Sequence, residues 1–351
     1  MDYTCEMDIA IIGLGGVSRA FLSLVEEKND DISKTGLNLN IKYVLNSTGG
    51  IYNKNGIDLN DFNRFLKDTN HIKLSSYKRN YTQNANFDLI LKNKDVDLVV
   101  ELTQTNKVDG EPGLSHITRA LENGISVVTA NKGPIMLAYK ELKSLANRNG
   151  LSLGIGCTTG GALPSINAGM IDMAGAHINK IEGILNGTSN YILKEIEEKG
   201  IAFSEALKMA QNMGIAEKDP SLDVNGWDTA IKLLILSNVL FDSDRRLDDI
   251  SVQGITEITP EELIMARENN RKIRLVGKAI RKKDDVELSV ELVSIDIDNP
   301  LYSADGKNKA VRYSSDTLGE LTVIGGASGL VPAAASVLRD IIIINNGYKF
   351  N

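Results

Sequence analysis

One stretch of the sequence combines an apolar helix with charged side chains that could move a proton. It reads AEKDPSLDVNGWDTAIKLLILSNVL from Ala216 to Leu240, and Lys232 lies among apolar residues of the predicted helix. Asp228, on the same helical face, can pair with this lysine as an ordinary surface ion pair. An amine held among apolar side chains beside a carboxylate can instead exchange a proton with a substrate hydroxyl near neutral pH. The spacing alone leaves both alternatives open.

Carboxylates are concentrated just before and at the start of this helix. They are Glu217, Asp219, Asp223 and Asp228. Acids in a loop are usually solvated, but a group of them beside a half-buried lysine is also suited to hold an ammonium group. The stretch therefore indicates a site for a small molecule that carries an amine.

A glycine-rich turn follows the first predicted strand. After the strand at residues 9–12 the chain reads GLGGVS, with Gly13 and Gly15 at the first and third positions. Such glycines permit a tight turn and let backbone N–H groups approach a pyrophosphate at a helix N-terminus. Ser18 replaces the third glycine of the full dinucleotide-binding pattern, and a plain strand–turn–helix remains the alternative.

The end of the second predicted strand does not distinguish NAD from NADP. An acidic residue there would hold the ribose of NAD, and a nearby basic residue would accept the 2′-phosphate of NADP. The strand ends in Asn46-Ser47-Thr48, and Lys54 comes only further on. The sequence leaves the choice of cofactor open.

A second lysine follows another strand. The segment VVTANKGP places Lys132 just past the end of a predicted parallel strand, where open α/β sheets bind their ligands. Most lysines in loops are simply solvated, so position alone makes Lys132 a candidate and no more.

Strands and helices alternate through the first part of the chain, which predicts a parallel sheet with helices on both faces. The predicted strands are IAIIGLGG, LNIKYVLNST, VDLVVELTQTN and ISVVTANKGP, and the helices are VSRAFLSLVEEK, GEPGLSHITRALENG and AYKELKSLANRNG. The later part differs. A strand enters a helix in KIEGILNGTSNYILKEIEEKG, two helices follow around Ala206 and Lys232, and RKIRLVGKAIRKKDDVELSVELVSID predicts an antiparallel hairpin before a last helix.

Composition limits the classes of partner. A chain of 351 residues is long enough for two domains, since single cores rarely grow past roughly 250–300 residues. A net charge of −7, spread along the chain, argues against nucleic acid or an anionic membrane as partner. No apolar run approaches the ~20 residues that span a bilayer. The start MDYTCEMD lacks signal-peptide features, and Cys5 and Cys157 form no metal spacing, so we expect a cytoplasmic protein.

Several motifs together resemble homoserine dehydrogenase. They are TANKGP, GGALP, GILNGTSNYIL and the interval from Glu217 to Lys232, in the family's order and over nearly the whole chain. The NGTSNY segment and that interval are specific, whereas the glycine turn is not. The resemblance implies the interconversion of L-homoserine and L-aspartate 4-semialdehyde with NAD or NADP, in threonine, methionine and isoleucine biosynthesis, by a homodimer.

The resemblance also implies the fold class and the domains. The expected fold is α/β: a Rossmann-type parallel-sheet domain over residues 1–135 and an α+β domain for substrate binding and dimerisation over residues 136–305. Residues 306–351 would return to the nucleotide-binding domain. Many relatives carry a C-terminal regulatory domain of the ACT type, which we do not expect here.

Residue roles carry over by motif. Lys132 and Lys232 would be the catalytic pair, with Lys232 as proton donor and acceptor. The residues expected to bind substrate are Glu217, Asp228, Asp223 and Gly214. The residues expected to line the cofactor are Gly13, Gly15, Gly16, Val17, Thr103, Lys132 and Gly329.

The sequence departs from the family at one expected site. Relatives commonly bind sodium or another monovalent cation through backbone carbonyls and a glutamate that precedes the GGALP-like motif, and Gly156 stands at that position. The carbonyls of Thr159, Gly161 and Leu163 could still form a weaker Na⁺ or K⁺ site.

Two rival functions remain. A phosphorylating semialdehyde dehydrogenase would use Cys157 as a thiol nucleophile, although a small buried cysteine is the simpler interpretation. A cofactor-binding sensor would keep the fold without catalysis, which the presence of both lysines and both principal acids disfavours. His71, His116 and His177 are scattered and predict no metal site.

Overall fold

Two β-sheets organise the chain, each in its own unit of the fold. Unit 1 consists of Met1–Thr158 and Gly329–Asn351, and unit 2 of Thr159–Ser328. The computed structural model of the chain describes residues 5–68, 74–77, 79, 81–82, 85–283 and 285–350. His71 lies outside the described residues.

The secondary structure alternates between strands and helices first and becomes mixed later. The strands are β1 Cys5–Ile12, β2 Leu37–Asn46, β3 Gly49–Tyr52, β4 Tyr81–Thr82, β5 Leu98–Glu101, β6 Ser126–Thr129, β7 Leu153–Gly154, β8 Ile178–Ile184, β9 Ser251–Val252, β10 Arg271–Arg281, β11 Val286–Asp296, β12 Lys309–Ser315 and β13 Glu320–Gly325. The helices are α1 Gly16–Glu27, α2 Asn29–Lys34, α3 Leu59–Asp68, α4 Phe87–Asn93, α5 Gly113–Glu122, α6 Lys132–Arg148, α7 Cys157–Gly160, α8 Ser165–Asn167, α9 Gly187–Lys199, α10 Phe203–Asn212, α11 Ser221–Val224, α12 Trp227–Phe241, α13 Pro260–Glu268 and α14 Leu330–Asn345.

Short helical turns complete the described part of the chain. They are the 3₁₀ turns Leu74–Ser76, Leu247–Asp249 and Pro300–Ser303 and a π-helical turn at Ala168–Asp172.

The sheet of unit 1 has the strand order β4-β3-β2-β1-β5-β6-β7. Strands β2, β1, β5, β6 and β7 run parallel, and β3 and β4 add an antiparallel edge. Ile9, Ala10 and Ile11 of β1 are wholly buried, as expected for a parallel strand covered on both faces. The chain continues from β1 to β2 on one side and later to β5 on the other, so a crevice forms at the carboxyl ends of these strands.

Helix α14 belongs to unit 1, although it lies far from the rest of that unit in sequence. It packs on α1: a Cβ atom at Gly16 would lie 2.8 Å from Leu330 Cδ1. Ala334, Val337 and Ile341 are buried in the same core as β1. The prediction that the last helix returns to the first domain is confirmed.

The sheet of unit 2 has the order β13-β12-β8-β10-β11-β9. Its neighbours are antiparallel except β9, which runs parallel to β11. Strands β10 and β11 form the predicted hairpin, in register from Arg271 opposite Asp296 to Arg281 opposite Val286. A mixed sheet with helices on it is the α+β arrangement expected of this unit.

Helix α12 packs on the unit 2 sheet and is apolar around most of its circumference, which is typical of a buried helix. Gly277 of β10 lies opposite Gly183 of β8. A Cβ atom at Gly277 would lie 3.3 Å from Thr229 Cγ2 and 3.4 Å from Leu233 Cδ1. The missing side chain lets α12 approach the sheet closely, which fixes where Lys232 stands.

The two units divide the chain at other residues than the sequence indicated. Strand β7 pairs with β6 and extends the first sheet beyond residue 135, while β12 and β13 pair with β8 and lie in unit 2 rather than in the C-terminal segment. Strand pairing decides the division, and it is not visible in local sequence. Among the described residues, no helix is both long and apolar enough to cross a membrane.

Candidate active site

A cavity of about 1020 Å³ opens at the carboxyl ends of β1, β2 and β5. It lies at the crevice where the strand order reverses, the usual ligand position in an open parallel sheet. Its lining is mostly apolar and backbone. The lining residues are Ile12, Gly13, Leu14, Gly15, Gly16, Val17, Leu45, Asn46, Ser47, Asn86, Phe87, Leu102, Thr103, Gln104, Thr105, Asn106, Glu111, Pro112, His116 and Leu330.

The glycine turn forms one wall of this cavity, and its glycines serve different purposes. Gly13 has φ +94°, and a Cβ atom there would lie 2.6 Å from Leu102 O, so only glycine fits. A Cβ atom at Gly15 would meet nothing within 4 Å, because this glycine faces open space. Backbone N–H groups at the start of α1 are therefore accessible to an anion, as a pyrophosphate requires.

Sequence reasoning missed a buried carboxylate beside the cavity. Glu101, the last residue of β5, is wholly buried. Its Oε1 accepts hydrogen bonds from the backbone N–H of Thr103, at 3.1 Å, and from the hydroxyl of Thr103. Its Oε2 accepts from Thr129 Oγ1 at 3.2 Å, and His116 Nδ1 lies 3.6 Å from Oε1. The carboxylate thus holds the loop that carries Thr103. In the sequence, the only indication of this role was an acid directly after the apolar strand VDLVV.

Lys132 begins helix α6 in unit 1. The preceding Asn131 caps the helix, since its Oδ1 accepts from Gly133 N at 3.1 Å, and its Nδ2 donates to Thr103 Oγ1 at 3.2 Å. Lys132 is partly buried. The same threonine therefore connects the Glu101 carboxylate to the helix that carries Lys132.

The end of β2 is uncharged, as the sequence indicated. Asn46 and Ser47 line the cavity there, and Asn46 Oδ1 accepts from both the backbone N–H and the hydroxyl of Thr48 at 2.9 Å. Neither Asn46 nor Ser47 is an acid that could hold the ribose of NAD or a base that could hold the phosphate of NADP.

Lys232 lies in unit 2 on the buried helix α12, with only 14% of its side chain exposed. Its Nζ is 2.6 Å from Asp228 Oδ2 and donates to Leu185 O at 2.8 Å. An ammonium group has three N–H donors, so one remains for a ligand. The i,i+4 ion pair that the spacing allowed as one alternative forms, and the lysine also donates to the backbone just after β8.

Asn186 brings the two aspartates together. Its Nδ2 donates to Asp223 Oδ1 at 2.6 Å and to Asp228 Oδ2 at 2.8 Å, while its Oδ1 caps α9 by accepting from Ser189 N at 2.8 Å. These contacts fix the orientation of the amide, because each of its atoms has an assigned partner. Asn186 is the first residue of the NGTSNY motif, which was the available signal in the sequence, although no role was predicted for this residue.

Asp223 is held in an environment that resists its ionisation. Burial and, next, the negative charge of Asp228 raise the pKa of Asp223, while hydrogen bonds from Asn186 and Thr188 act in the opposite direction. A cation placed beside this pair of carboxylates would be stabilised by both. The pair is therefore a ready partner for a substrate ammonium group.

Glu217 and Gly214 are exposed in the segment that follows α10. Within the described residues the Glu217 carboxylate makes no hydrogen bond or ion pair, and only its backbone carbonyl accepts, from Gln211 Nε2 at 3.2 Å. Gly214 has φ +66°, which favours glycine. The structure thus joins Lys232 to Asp228 directly and Asp223 to Asp228 through Asn186, but it does not join Glu217 to them.

Two family models match the chain: homoserine dehydrogenase, NAD binding domain, over residues 13–154 and homoserine dehydrogenase over residues 164–342. The chain belongs to the homoserine dehydrogenase family. A homoserine dehydrogenase of Methanocaldococcus jannaschii is 36% identical over 98% of this chain and 100% of its own length. An NAD(+)-dependent homoserine dehydrogenase of Pseudomonas canavaninivorans is 36% identical over 97% of this chain and 96% of its own.

The fold comparison agrees. A hyperthermophilic archaeal homoserine dehydrogenase mutant, solved in complex with NADPH, has a TM-score of 0.82 at 27% identity and covers 98% of this chain and 99% of that one. These matches confirm the family, the fold class and the enzyme class predicted from the sequence, an NAD(P)-dependent oxidoreductase acting on a CH–OH group. The NAD-binding model also spans the glycine turn and β5, which supports NAD(P) binding in the cavity.

Of the other residues predicted to line the cofactor, Gly16, Val17 and Gly329 stand at helix starts, and Thr103 lies in the loop after β5. Val17 stands in the first turn of α1 and lines the cavity, as do Gly16 and Thr103. Gly329 is the N-cap of α14, with φ +122°, directly before the cavity-lining Leu330.

The loop predicted to hold a monovalent cation lies at the start of unit 2. Lys309, the first residue of β12, is 6% exposed, and its Nζ donates to Gly160 O at 2.6 Å. A Cβ atom at Gly161 would lie 3.6 Å from the same Nζ. The ammonium group on Gly160 O repels a second cation in the same loop, and Gly156 stands at the position of the family's glutamate. The residues present therefore do not fit a bound Na⁺ or K⁺.

Cys157 packs in the apolar core of unit 1 and is 7% exposed. Its Sγ lies 3.4 Å from Ala333 O, to which it donates. A thiol in these surroundings favours a structural cysteine over a nucleophile. Among the described residues, no group of histidine, cysteine and acidic side chains could hold a metal ion.

Proposed function

We propose that Lys232 is the proton donor and acceptor of this homoserine dehydrogenase. The observation that carries the proposal is the ammonium group on α12, oriented by Asp228 Oδ2 and Leu185 O with one donor remaining. In the oxidising direction Lys232, as the neutral amine, accepts the proton of the homoserine hydroxyl. In the reverse direction its ammonium polarises the aldehyde oxygen and supplies that proton.

The carboxylate pair orients the substrate. Asp223 and Asp228 would bind the substrate ammonium, and Asn186 fixes the separation of the two carboxylates. Holding the amine fixes where C4 and its hydroxyl lie relative to Lys232, which is a positioning effect on the barrier. Glu217 and the backbone of Gly214 would complete the substrate site from the exposed segment after α10, as the family pattern implies.

The cavity of unit 1 would hold the dinucleotide. The glycine turn would receive the pyrophosphate, and Val17, Thr103, Lys132 and Gly329 would contact other parts of the cofactor. The nicotinamide supplies the hydride acceptor or donor for C4 of the substrate. Lys132 would act as the second catalytic lysine, placed by the Asn131 cap at the start of α6.

We further propose that the enzyme accepts both NAD and NADP. The end of β2 supports this proposal, because the uncharged Asn46 and Ser47 there neither repel a 2′-phosphate nor form an ion pair with it. By resemblance to the family, we also propose a cytoplasmic homodimer acting on small-molecule substrates.

Absorbance of the reduced nicotinamide tests the proposed function. Purified protein is mixed with L-homoserine and either NAD or NADP, and both are expected to give a signal. Silence with both, from folded protein that still binds cofactor, contradicts the proposal. A phosphate-dependent oxidation of L-aspartate 4-semialdehyde that Cys157→Ser abolishes would support the rival semialdehyde dehydrogenase instead.

A further inference from the structure

A buried lysine stands at the loop where relatives place a monovalent cation. Lys309 is 6% exposed, an unusual state for a lysine, whose ammonium loses much of its hydration on burial. Its Nζ donates to Gly160 O at 2.6 Å, a short contact of the kind that charged donors make. The lysine thus links the first residue of β12 to the last residue of α7.

Two carbonyls of this loop, those of Gly160 and Leu163, already accept hydrogen bonds. Gly160 O accepts from Leu163 N at 3.2 Å as well as from Lys309, and Leu163 O accepts from Ser165 N at 2.8 Å. Close packing also limits the space around Leu163, because a Cβ atom at Gly326 would lie 2.6 Å from Leu163 N. A cation bound by Leu163 O would compete with Ser165 N, and a cation anywhere in the loop would face the ammonium charge of Lys309.

We infer that the Lys309 ammonium takes the place of the bound monovalent cation in this protein. The Lys309 ammonium, rather than a bound ion, supplies the positive charge that binds the loop between α7 and α8 to β12. The family's glutamate is then not needed, which agrees with Gly156 at that position. The consequence is an enzyme whose stability does not depend on Na⁺ or K⁺.

Thermal unfolding tests this inference without any measurement of activity. A negative result would therefore contradict the role of Lys309 and leave the proposed enzymatic function untouched. The melting temperature of the full chain is compared in Na⁺, K⁺, NH₄⁺ and tetramethylammonium chloride at equal ionic strength. The wild type is expected to melt at the same temperature in all four. A melting temperature of the wild type that is higher in Na⁺ or K⁺ than in tetramethylammonium, by several degrees, would overturn the inference.

The variant Lys309→Ala removes the internal charge and leaves room for an ion. We expect a lower melting temperature, by about 4–8 °C, and a partial recovery in NH₄⁺ or K⁺ that tetramethylammonium does not give. Lys307→Ala, at an exposed lysine two positions away, is the matched control and should show neither effect. If Lys309→Ala responds to the ions no more than this control does, the inference fails. Lys309→Gln, which keeps a donor without the charge, provides the same comparison should Lys309→Ala not fold.

Discussion

The Lys232 ammonium lies 2.6 Å from Asp228 Oδ2, one helical turn away, with 14% and 13% of the two side chains exposed. An ion pair this poorly solvated is stable only when further hydrogen bonds satisfy both partners. Leu185 O provides one for the lysine, and Asn186 Nδ2 provides one for the aspartate. The pair is thus part of a hydrogen-bonded network that keeps the Lys232 amine in one position. A group that donates or accepts a proton must be held within hydrogen-bond distance of the reacting oxygen.

Replacing Lys232 by methionine should remove the proton donor while keeping the apolar stem. We expect kcat to fall by about 10²–10⁴-fold, with cofactor affinity unchanged, because general acid–base catalysis is lost. Steady-state kinetics and a fluorescence titration with reduced cofactor measure the two quantities. Lys208→Met, at an exposed lysine of α10, should behave as wild type. Near wild-type turnover of folded Lys232→Met would refute the assignment.

Asn186→Ser separates the two tasks of this residue. Serine still caps α9, so the melting temperature should change little, but the donors to Asp223 and Asp228 are lost. We expect kcat/KM for homoserine to fall by about 10–100-fold, the usual worth of a hydrogen bond to a charged group. Loss of thermal stability with unchanged kcat/KM would show that Asn186 serves only the helix.

Asp223 provides a prediction about pH. Burial and the Asp228 charge raise the pKa of Asp223 above its value in the unfolded chain, so its contribution to stability is present at low pH and is lost as pH rises through the folded value. Asp223→Asn, which cannot ionise, should therefore melt at a higher temperature than wild type at neutral pH, and the difference should shrink as the pH falls toward the ordinary Asp pKa of about 3.9. Scanning calorimetry over this range checks the sign. A lower melting temperature of the variant at neutral pH would contradict it.

Glu101→Gln should loosen the loop that carries Thr103. Glutamine cannot accept at both of its terminal atoms, so one threonine contact is lost in a fully buried place. We expect the melting temperature to fall by roughly 4–8 °C and the Kd for reduced cofactor to rise. Glu122→Gln, at an exposed acid of α5, is the control. An unchanged Kd would mean that Glu101 supports the fold but not the cofactor site.

Two substitutions in the glycine turn can be compared directly with each other. Gly13→Ala places a Cβ atom 2.6 Å from Leu102 O at a positive φ and should destabilise unit 1 by about 1–3 kcal/mol. Gly15→Ala meets no such contact and should leave the melting temperature nearly unchanged while weakening cofactor binding, since its methyl group enters the space for the dinucleotide. Unfolding curves and cofactor titrations separate the two. Equal destabilisation by both substitutions would contradict this account.

The parts of the site predicted from sequence are those with local signals. The strand β1, the glycine turn and the hairpin of β10 and β11 each have a pattern or turn residue within a short window. The boundary of unit 1 and the membership of β12 depend on which strands pair, and pairing joins residues far apart in sequence. Glu101, Asn186 and Lys309 went unassigned for the same reason, because an acid, an amide or a lysine acquires a role only from its partners.

The sequence by itself determined the chemistry: a lysine in an apolar helix, acids before it, a glycine turn and a second lysine after a strand. These features depend only on residue type and spacing, and they are among those by which the sequence resembles the family. Only the tertiary structure decided which charges meet. Asn186 joins Asp223 to Asp228, Glu101 holds the loop that carries Thr103, and a lysine from β12 reaches Gly160, because the fold brings distant segments within hydrogen-bond distance.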